Sequence, residues 1–198
     1  MLRNYAAVSV RARGQLTATA VLRADAPATA YGEAVTTHDA SIGIDAPFAF
    51  HFRGRTTGID LRRVPAPVPV PKVESLLTFD YDVTGRFAEP FITGGATFAA
   101  SEFLGARVGD GTVGTIDTEQ RPVHYTGEGP IEGINLRRFG EGLAVSWLQE
   151  PRYEGTGSGH FHVDGSGTSA ATLSLTGGGR LSRADLFKGT LSDADVSI

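Results

Sequence analysis

An all-β chain, arranged as an elongated antiparallel sheet built from repeats and carrying at most one or two short helices, is what three features of this sequence predict. The first is a motif that occurs twice. Gly58-Ile59-Asp60-Leu61-Arg62-Arg63 returns as Gly133-Ile134-Asn135-Leu136-Arg137-Arg138, a shift of 75 residues (133 − 58). The second is an apolar alternation of period two along most of the chain. The third is composition: 26 glycines and 10 prolines in 198 residues, with 40% hydrophobic and 20% charged, describe a folded, turn-rich chain rather than a disordered one.

The repeat extends beyond the motif. Phe50-His51-Phe52-Arg53-Gly54 precedes the first copy and Val123-His124-Tyr125-Thr126-Gly127 the second, here shifted by 73 (124 − 51). Leu77 to Phe87 follows the pattern of Val8 to Leu16, with Gly14 and Gly85 separated by 71 (85 − 14). Gly159 to Gly165 takes up the same theme, Gly165 lying 80 residues after Gly85 (165 − 85), and Phe98 to Asp117 resembles Arg180 to Ile198. The units cover approximately residues 1–64, 72–139 and, incompletely, 152–198, with crossing segments at approximately 58–72 and 133–151. Loop insertions account for the unequal spacings. An excerpt of a longer array is expected, whose unpaired strand edges invite association.

Taken in order, the elements read as follows. Val8, Val10, Ala12, Leu16, Ala18, Ala20 and Leu22 share one parity, against Ser9, Arg11, Arg13, Gln15, Thr17 and Thr19. Ile42 and Ile44 lead to a turn at Ala46-Pro47, after which Phe48, Phe50 and Phe52 continue. Leu77, Phe79, Tyr81 and Val83 alternate with Asp80, Asp82 and Thr84; Phe161 and Val163 with His160, His162 and Asp164; Leu173 and Leu175 with Thr172 and Ser174. Such alternation predicts antiparallel strands with one apolar and one wet face. Asp110-Gly111 and Asp164-Gly165 can supply the positive φ of hairpins or bulges, although the analogy with Gly85 puts Gly165 inside a strand. Gly94-Gly95 and Gly177-Gly178-Gly179 mark bends. Each motif copy is followed by a break in the pattern. The alternating prolines from Val64 to Pro71 favour extended polyproline conformation. From Phe139 to Gln149 the spacing of Phe139, Leu143 and Trp147 predicts one short amphipathic helix, stopped by Glu150-Pro151.

Several functions lose support on chemistry. A net charge of −4 and a pI near 5.7 argue against nucleic acid as partner. The Arg62-Arg63 and Arg137-Arg138 doublets read as solvated. Without cysteine, disulfides and thiol chemistry are out. Met1-Leu2-Arg3-Asn4-Tyr5 opens no signal peptide, and no stretch is apolar for the eighteen or so residues a spanning helix needs. His160-x-His162 has a spacing some metal sites use, but its parity puts it on the polar face, where solvated side chains are expected. His51 and His124 fall at matching repeat positions and share a structural role on that outer face. Asp80 and Asp82 lack the burial or charged neighbour that general acids need. Gly155-Thr156-Gly157-Ser158-Gly159 lacks the Lys-Ser/Thr and helix of a phosphate loop. No enzyme activity, cofactor or metal is expected.

The candidate binding residues are the apolar parity set: Val8, Val10, Leu16, Ile42, Ile44, Phe48, Phe50, Phe52, Leu77, Phe79, Tyr81, Val83, Phe91, Phe98, Val123, Tyr125, Phe161, Val163, Leu173 and Leu175. By pattern alone they either fill a closed β-sandwich or β-solenoid core or line an open groove.

A resemblance favours the groove. Val163-Asp164-Gly165-Ser166-Gly167, then Leu173-Ser174-Leu175-Thr176-Gly177-Gly178-Gly179-Arg180-Leu181, then Leu186-Phe187-Lys188-Gly189 run in an order that resembles the TamB/AsmA superfamily of bacterial envelope proteins. Phe103-Leu104-Gly105 takes the place of the last step in the middle unit. The resemblance implies a long antiparallel sheet curled into an open trough, the β-taco or repeating β-groove, apolar inside and hydrophilic outside. It implies a periplasmic protein, anchored to the inner membrane through a segment absent from this chain. Its partners would be phospholipid acyl chains in transit between the membranes, neighbouring repeats of the parent chain and, in the TamB case, an outer-membrane assembly protein. Shielding acyl chains at about 0.8 kcal/mol per methylene is a task an apolar wall performs without specific contacts. The alternative is a surface adhesin or carbohydrate-binding β-solenoid or β-sandwich acting through its outer face.

Overall fold

A computed structural model describes residues 26–30, 33–64, 70–88, 91–167, 172, 174–186 and 189–197. Its strands are β1 (Ala26–Ala30), β2 (Glu33–Ile42), β3 (Ala49–Ile59), β4 (Ser75–Arg86), β5 (Phe91–Phe98), β6 (Ser101–Phe103), β7 (Ala106–Val108), β8 (Val113–Asp117), β9 (His124–Asn135), β10 (Gly155–Ser166), β11 (Ser174–Leu186) and β12 (Gly189–Ser197). All belong to one 12-stranded sheet, paired in the order β1-β2-β3-β4-β5-β8-β9-β10-β11-β12. β6 and β7 fill the remaining space between β4 and β9, so β5 with β6, and β7 with β8, act as single interrupted strands. Every pairing is antiparallel, and the chain simply runs up and down. The expected all-β architecture is thus what the chain adopts.

The two rims of the sheet differ. One carries the connections between β2 and β3, β4 and β5, β8 and β9, and β10 and β11. The other carries two long crossings, between β3 and β4 and between β9 and β10, alternating with the β6–β7 and β11–β12 connections. The repeated motif builds the start of each crossing. Gly58 (φ 74°) and Gly133 (φ 68°) take the left-handed conformation that glycine tolerates best, and the register slips there, swinging Ile59 and Ile134 towards the apolar face. Asp60 and Asn135 then cap the next turn: their side-chain oxygens accept from the Arg62 N–H (3.0 Å) and the Arg138 N–H (2.9 Å).

After the first cap comes a single 3₁₀ turn, Leu61–Arg63; after the second comes α1 (Leu136–Gly142). The single helix expected from Phe139 to Gln149 is broken. Glycines at 140 and 142 weaken it, and Ala144 takes a left-handed φ of 57° while the Val145 N–H turns back to the Gly140 carbonyl. Two 3₁₀ turns, Ser146–Gln149 and Pro151–Tyr153, complete the crossing. No helix among the described residues is long and apolar enough to cross a membrane.

The glycine pairs expected at bends lie inside strands, and they show which way the sheet curls. A methyl group on Gly94 would strike the Asp82 carbonyl and lie 2.7 Å from Val83 Cα on β4, whereas one on its neighbour Gly95 would meet nothing nearer than 3.4 Å. The two residues point to opposite faces, so adjacent strands close towards the face of Gly94. Gly54 against β2, and Gly159, Gly177 and Gly179 along the β10–β11 line, are crowded by neighbouring backbone on that same face. The curl is therefore concentrated at β2/β3, β4/β5 and β10/β11. Asp110-Gly111 makes a turn interrupting β7 and β8 rather than a hairpin, and Gly165 sits within β10 opposite Tyr125.

Candidate functional site

The concave face is one apolar surface, without a second layer among the described residues. Its rows run across the strands in register: Ile42, Phe50, Gly85 and Ile92; Ala40, Phe52, Val83, Gly94, Ile116, Tyr125, Gly165 and Leu175; Thr37, Gly54, Tyr81, Ala96, Gly114, Gly127, Val163 and Gly177. The next row holds Val35, Thr56, Phe79 and Phe98 on one side and Gly129, Phe161, Gly179 and Val196 on the other. Large side chains and glycines alternate. Phe50 reaches over Gly85 and Tyr125 over Gly165, each ring occupying the space a methyl on the glycine would need, and the Tyr81 hydroxyl does the same over Gly54. On the inside of a curl side chains converge, so a ring lies flat only where its neighbour has none.

That packing leaves the wall half open. Among the described residues no large side chain is fully buried; Phe52, Phe79, Tyr81, Val83, Phe98, Tyr125, Phe161 and Val163 are half-buried, and Leu175 is 39% exposed. Rings touch along the wall, as in Phe50–Phe52 (5.0 Å) and Phe79–Phe98 (5.1 Å). Burial on this face pushes the Tyr125 phenol above its ordinary pKa.

Of the sequence-predicted set, Ile42, Phe50, Phe52, Leu77, Phe79, Tyr81, Val83, Phe98, Tyr125, Phe161, Val163 and Leu175 share this face, and Val123 is buried just before β9. Val8, Val10, Leu16 and Leu173 lie outside the described residues. Three residues do not belong to the wall. Ile44 (48% exposed) and Phe48 (42%) lie beyond the strand ends, in the turn closed by the Gly43 N–H to the Ala49 carbonyl. Phe91 is paired with Arg86 on the convex face, where the guanidinium stacks over its ring at 4.7 Å. The β4–β5 turn reset the parity, and Ile92 faces inward instead. Ile116, Leu181, Leu191 and Val196 are further wall residues that the apolar-run reading passed over. Their signal was glycine: Gly114 in β8 and Gly177 and Gly179 in β11 sit at the inward parity.

The convex face is ionic. His51 bonds Asp82 (2.7 Å), Arg55 bonds Asp80 (3.0 Å) and His124 bonds Asp164 (2.9 Å), all exposed. Asp80 and Asp82 are therefore separately engaged and do not form a pair. The two histidines take the same diagonal step to their aspartates, though not at matching positions. The structural register follows the 75-residue shift of the motif, which sets Phe50 against Tyr125 and His51 against Thr126. His162 lies 3.9 Å from Glu128. Among the described residues no cluster of His, Asp and Glu is placed to hold a metal ion.

A cleft of about 380 Å³ opens at the crossing rim, lined by Asp60, Arg62, Arg63, Glu74, Glu102 and Arg138 among others. Here the crossings meet: Arg138 bonds Glu74 (2.8 Å), Phe139 packs on Phe103 (5.6 Å), and Gly105 makes room for the Arg138 guanidinium. The cleft is polar, its arginines share it with as many carboxylates, and it is separate from the apolar wall. In comparisons with known proteins, no family model, curated protein or solved structure matches the chain.

Proposed function

We propose that the concave face carries lipid acyl chains, as a groove segment of a TamB/AsmA-like envelope protein working in the periplasm between the inner and outer membranes. One observation carries this reading: a single curled sheet holds a continuous row of aromatic and aliphatic side chains that no other described element covers. An apolar surface of that extent, flanked by an ionic face, is the signature of a binding surface rather than of ordinary solvent exposure. Ten ranks of strands at about 4.8 Å spacing make a wall about 43 Å long, which fits passage along the sheet better than one enclosed pocket. Hydrocarbon needs only contact and exclusion of water, and rings lying over glycines provide a smooth wall without fixing one chain position.

Photoreactive residues test this in cells. Placed at Phe79 and Phe161 they crosslink to phospholipid; placed at Asp80 and Arg53, on the convex face, they do not. Equal labelling of both faces, or of neither, rejects the conduit. Saccharide or protein adducts from the convex positions alone would support an outer-face binding module instead.

A further inference from the structure

The wall carries one polar feature that its construction does not require. Tyr81 on β4 reaches across Gly54 of β3 to β2, where its hydroxyl meets Thr37 Oγ1 at 3.1 Å. A methyl on Gly54 would come within 2.6 Å of that hydroxyl oxygen, so the glycine admits it. Two residues along β3, on the same face, Thr56 Oγ1 is buried and has no hydrogen-bond partner among the described residues, in a residue only 4% exposed. Three other hydroxyls on this side of the sheet bond backbone carbonyls: Ser75 to Ile59, Thr112 to Gly109 and Thr118 to Ile92.

The second unit provides an internal comparison. By the shifts of 75 and 80, Gly54 corresponds to Gly129 (54 + 75) and Tyr81 to Phe161 (81 + 80), which are again cross-strand partners. An aromatic ring opposite a glycine recurs; the hydroxyl does not. Packing the curl therefore asks for the ring alone.

In the Thr37–Tyr81 pair one hydroxyl donates to the other, which leaves one O–H free, and Thr56 holds a second unused donor. Ala40, Phe52 and Val83 flank this spot on one side, and Val35, Phe79 and Phe98 on the other. One donor at the apolar surface, with a second held just beneath it, matches an acceptor set within an apolar ligand. We propose that Thr37, Thr56 and Tyr81 form a station that binds the carbonyl oxygen of an ester-linked acyl chain. The inference rests on the acyl-chain reading above and narrows it: this part of the groove distinguishes acyl esters from ether lipids and plain hydrocarbon.

The test uses the purified chain with cis-parinaric acid bound as a fluorescent acyl probe. Dioleoyl phosphatidylglycerol and its di-O-oleyl ether analogue, equal in headgroup and chain length, compete for it. The diester should displace the probe at about fivefold lower concentration, the effect of one net hydrogen bond. Tyr81→Phe, which installs the ring the second unit already uses, and Thr37→Val should each bring the two lipids to near equality. Thr56→Val should reduce the preference and raise the melting temperature of the empty protein, since it removes a desolvated hydroxyl. Equal displacement by both lipids in the unaltered protein, or a preference kept by Tyr81→Phe with Thr37→Val, overturns the station while leaving the acyl groove standing. Failure of the probe to bind at all overturns both.

Discussion

Gly94 and Gly95 stand side by side in β5 under opposite constraints. The first points into the curl, where added atoms meet the backbone of β4; the second points outward into space. Gly94→Ala should therefore cost about 3 kcal/mol as the strands are forced apart. Gly95→Ala should be neutral or stabilise by up to about 0.5 kcal/mol through reduced chain entropy in the unfolded state. Gly133 presents a third case: nothing surrounds it, but its φ of 68° is strained for any L side chain, so Gly133→Ala should cost about 1 kcal/mol from the backbone alone. Denaturant melts of the three variants separate crowding from conformation, and equal losses at 94 and 95 would contradict the direction assigned to the curl. Asp60 offers a residue-scale test of charge. The Arg62 side chain bonded to it holds its carboxyl below the ordinary carboxylate value. A depressed folded pKa means that this contribution is present above about pH 4 and is lost as pH falls through the folded value. Asp60→Asn keeps the cap that Asn135 demonstrates in the second copy, but has no proton to take up. Its melting temperature should fall less steeply than the parent's between about pH 5 and pH 2, with Asp117 and Asp185, also held low by their hydrogen bonds, supplying the slope that remains.

Among elements, the crossings explain why the motif repeats. Each copy ends a strand with a glycine bulge, turns an isoleucine towards the apolar face and caps a turn, and the second then clips to the β6–β7 hairpin and the start of β4. Phe103→Ala and Phe139→Ala should each cost about 2 kcal/mol, with about 1 kcal/mol of coupling in a double-mutant cycle. The exposed Arg138–Glu74 bond should couple by less than about 1 kcal/mol. A larger coupling for the ion pair than for the ring pair would reverse the order of the forces holding the crossings together. The strands, the motif and the wall parity from Leu77 to Val83 were legible in the sequence because period two survives within a strand. Phe91 was not, because parity restarts after a turn and only pairing with Arg86 shows which face it takes. The helix after Arg138 was legible in its start and not in its length: the spacing of Phe139, Leu143 and Trp147 is helical, but Gly140 and Gly142 outweighed it. Glycine was the larger omission. A reading of apolar against polar treats Gly85, Gly94 and Gly165 as silent, although their inward parity is what lets the sheet curl. Tyr81 was read as wall, and its hydroxyl acquired a role only when the register brought Thr37 within reach.

At the scale of the whole molecule, the same single-layer design that opens the groove leaves the sheet with ends. β12 pairs with β11 on one side only among the described residues, and its inward-facing Leu191 and Val196 are 51% and 44% exposed. A strand edge with unpaired backbone groups and apolar side chains is a template for another chain. The chain should therefore self-associate as its concentration rises, through antiparallel addition at β12 that extends the apolar wall from one copy to the next. Sedimentation velocity over a concentration series reads this directly. Leu191→Lys with Val196→Lys places two charges on the edge and should shift the distribution towards monomer without lowering the melting temperature, because both side chains are already largely in water. Acyl lipid separates edge pairing from the alternative that two concave faces close on one another. If copies meet edge to edge, filling the groove with lipid leaves the association constant unchanged while the lysine variant abolishes it. If they meet face to face, lipid dissociates them and the lysines have little effect, and the open wall would then be an interface between copies rather than a path for lipid.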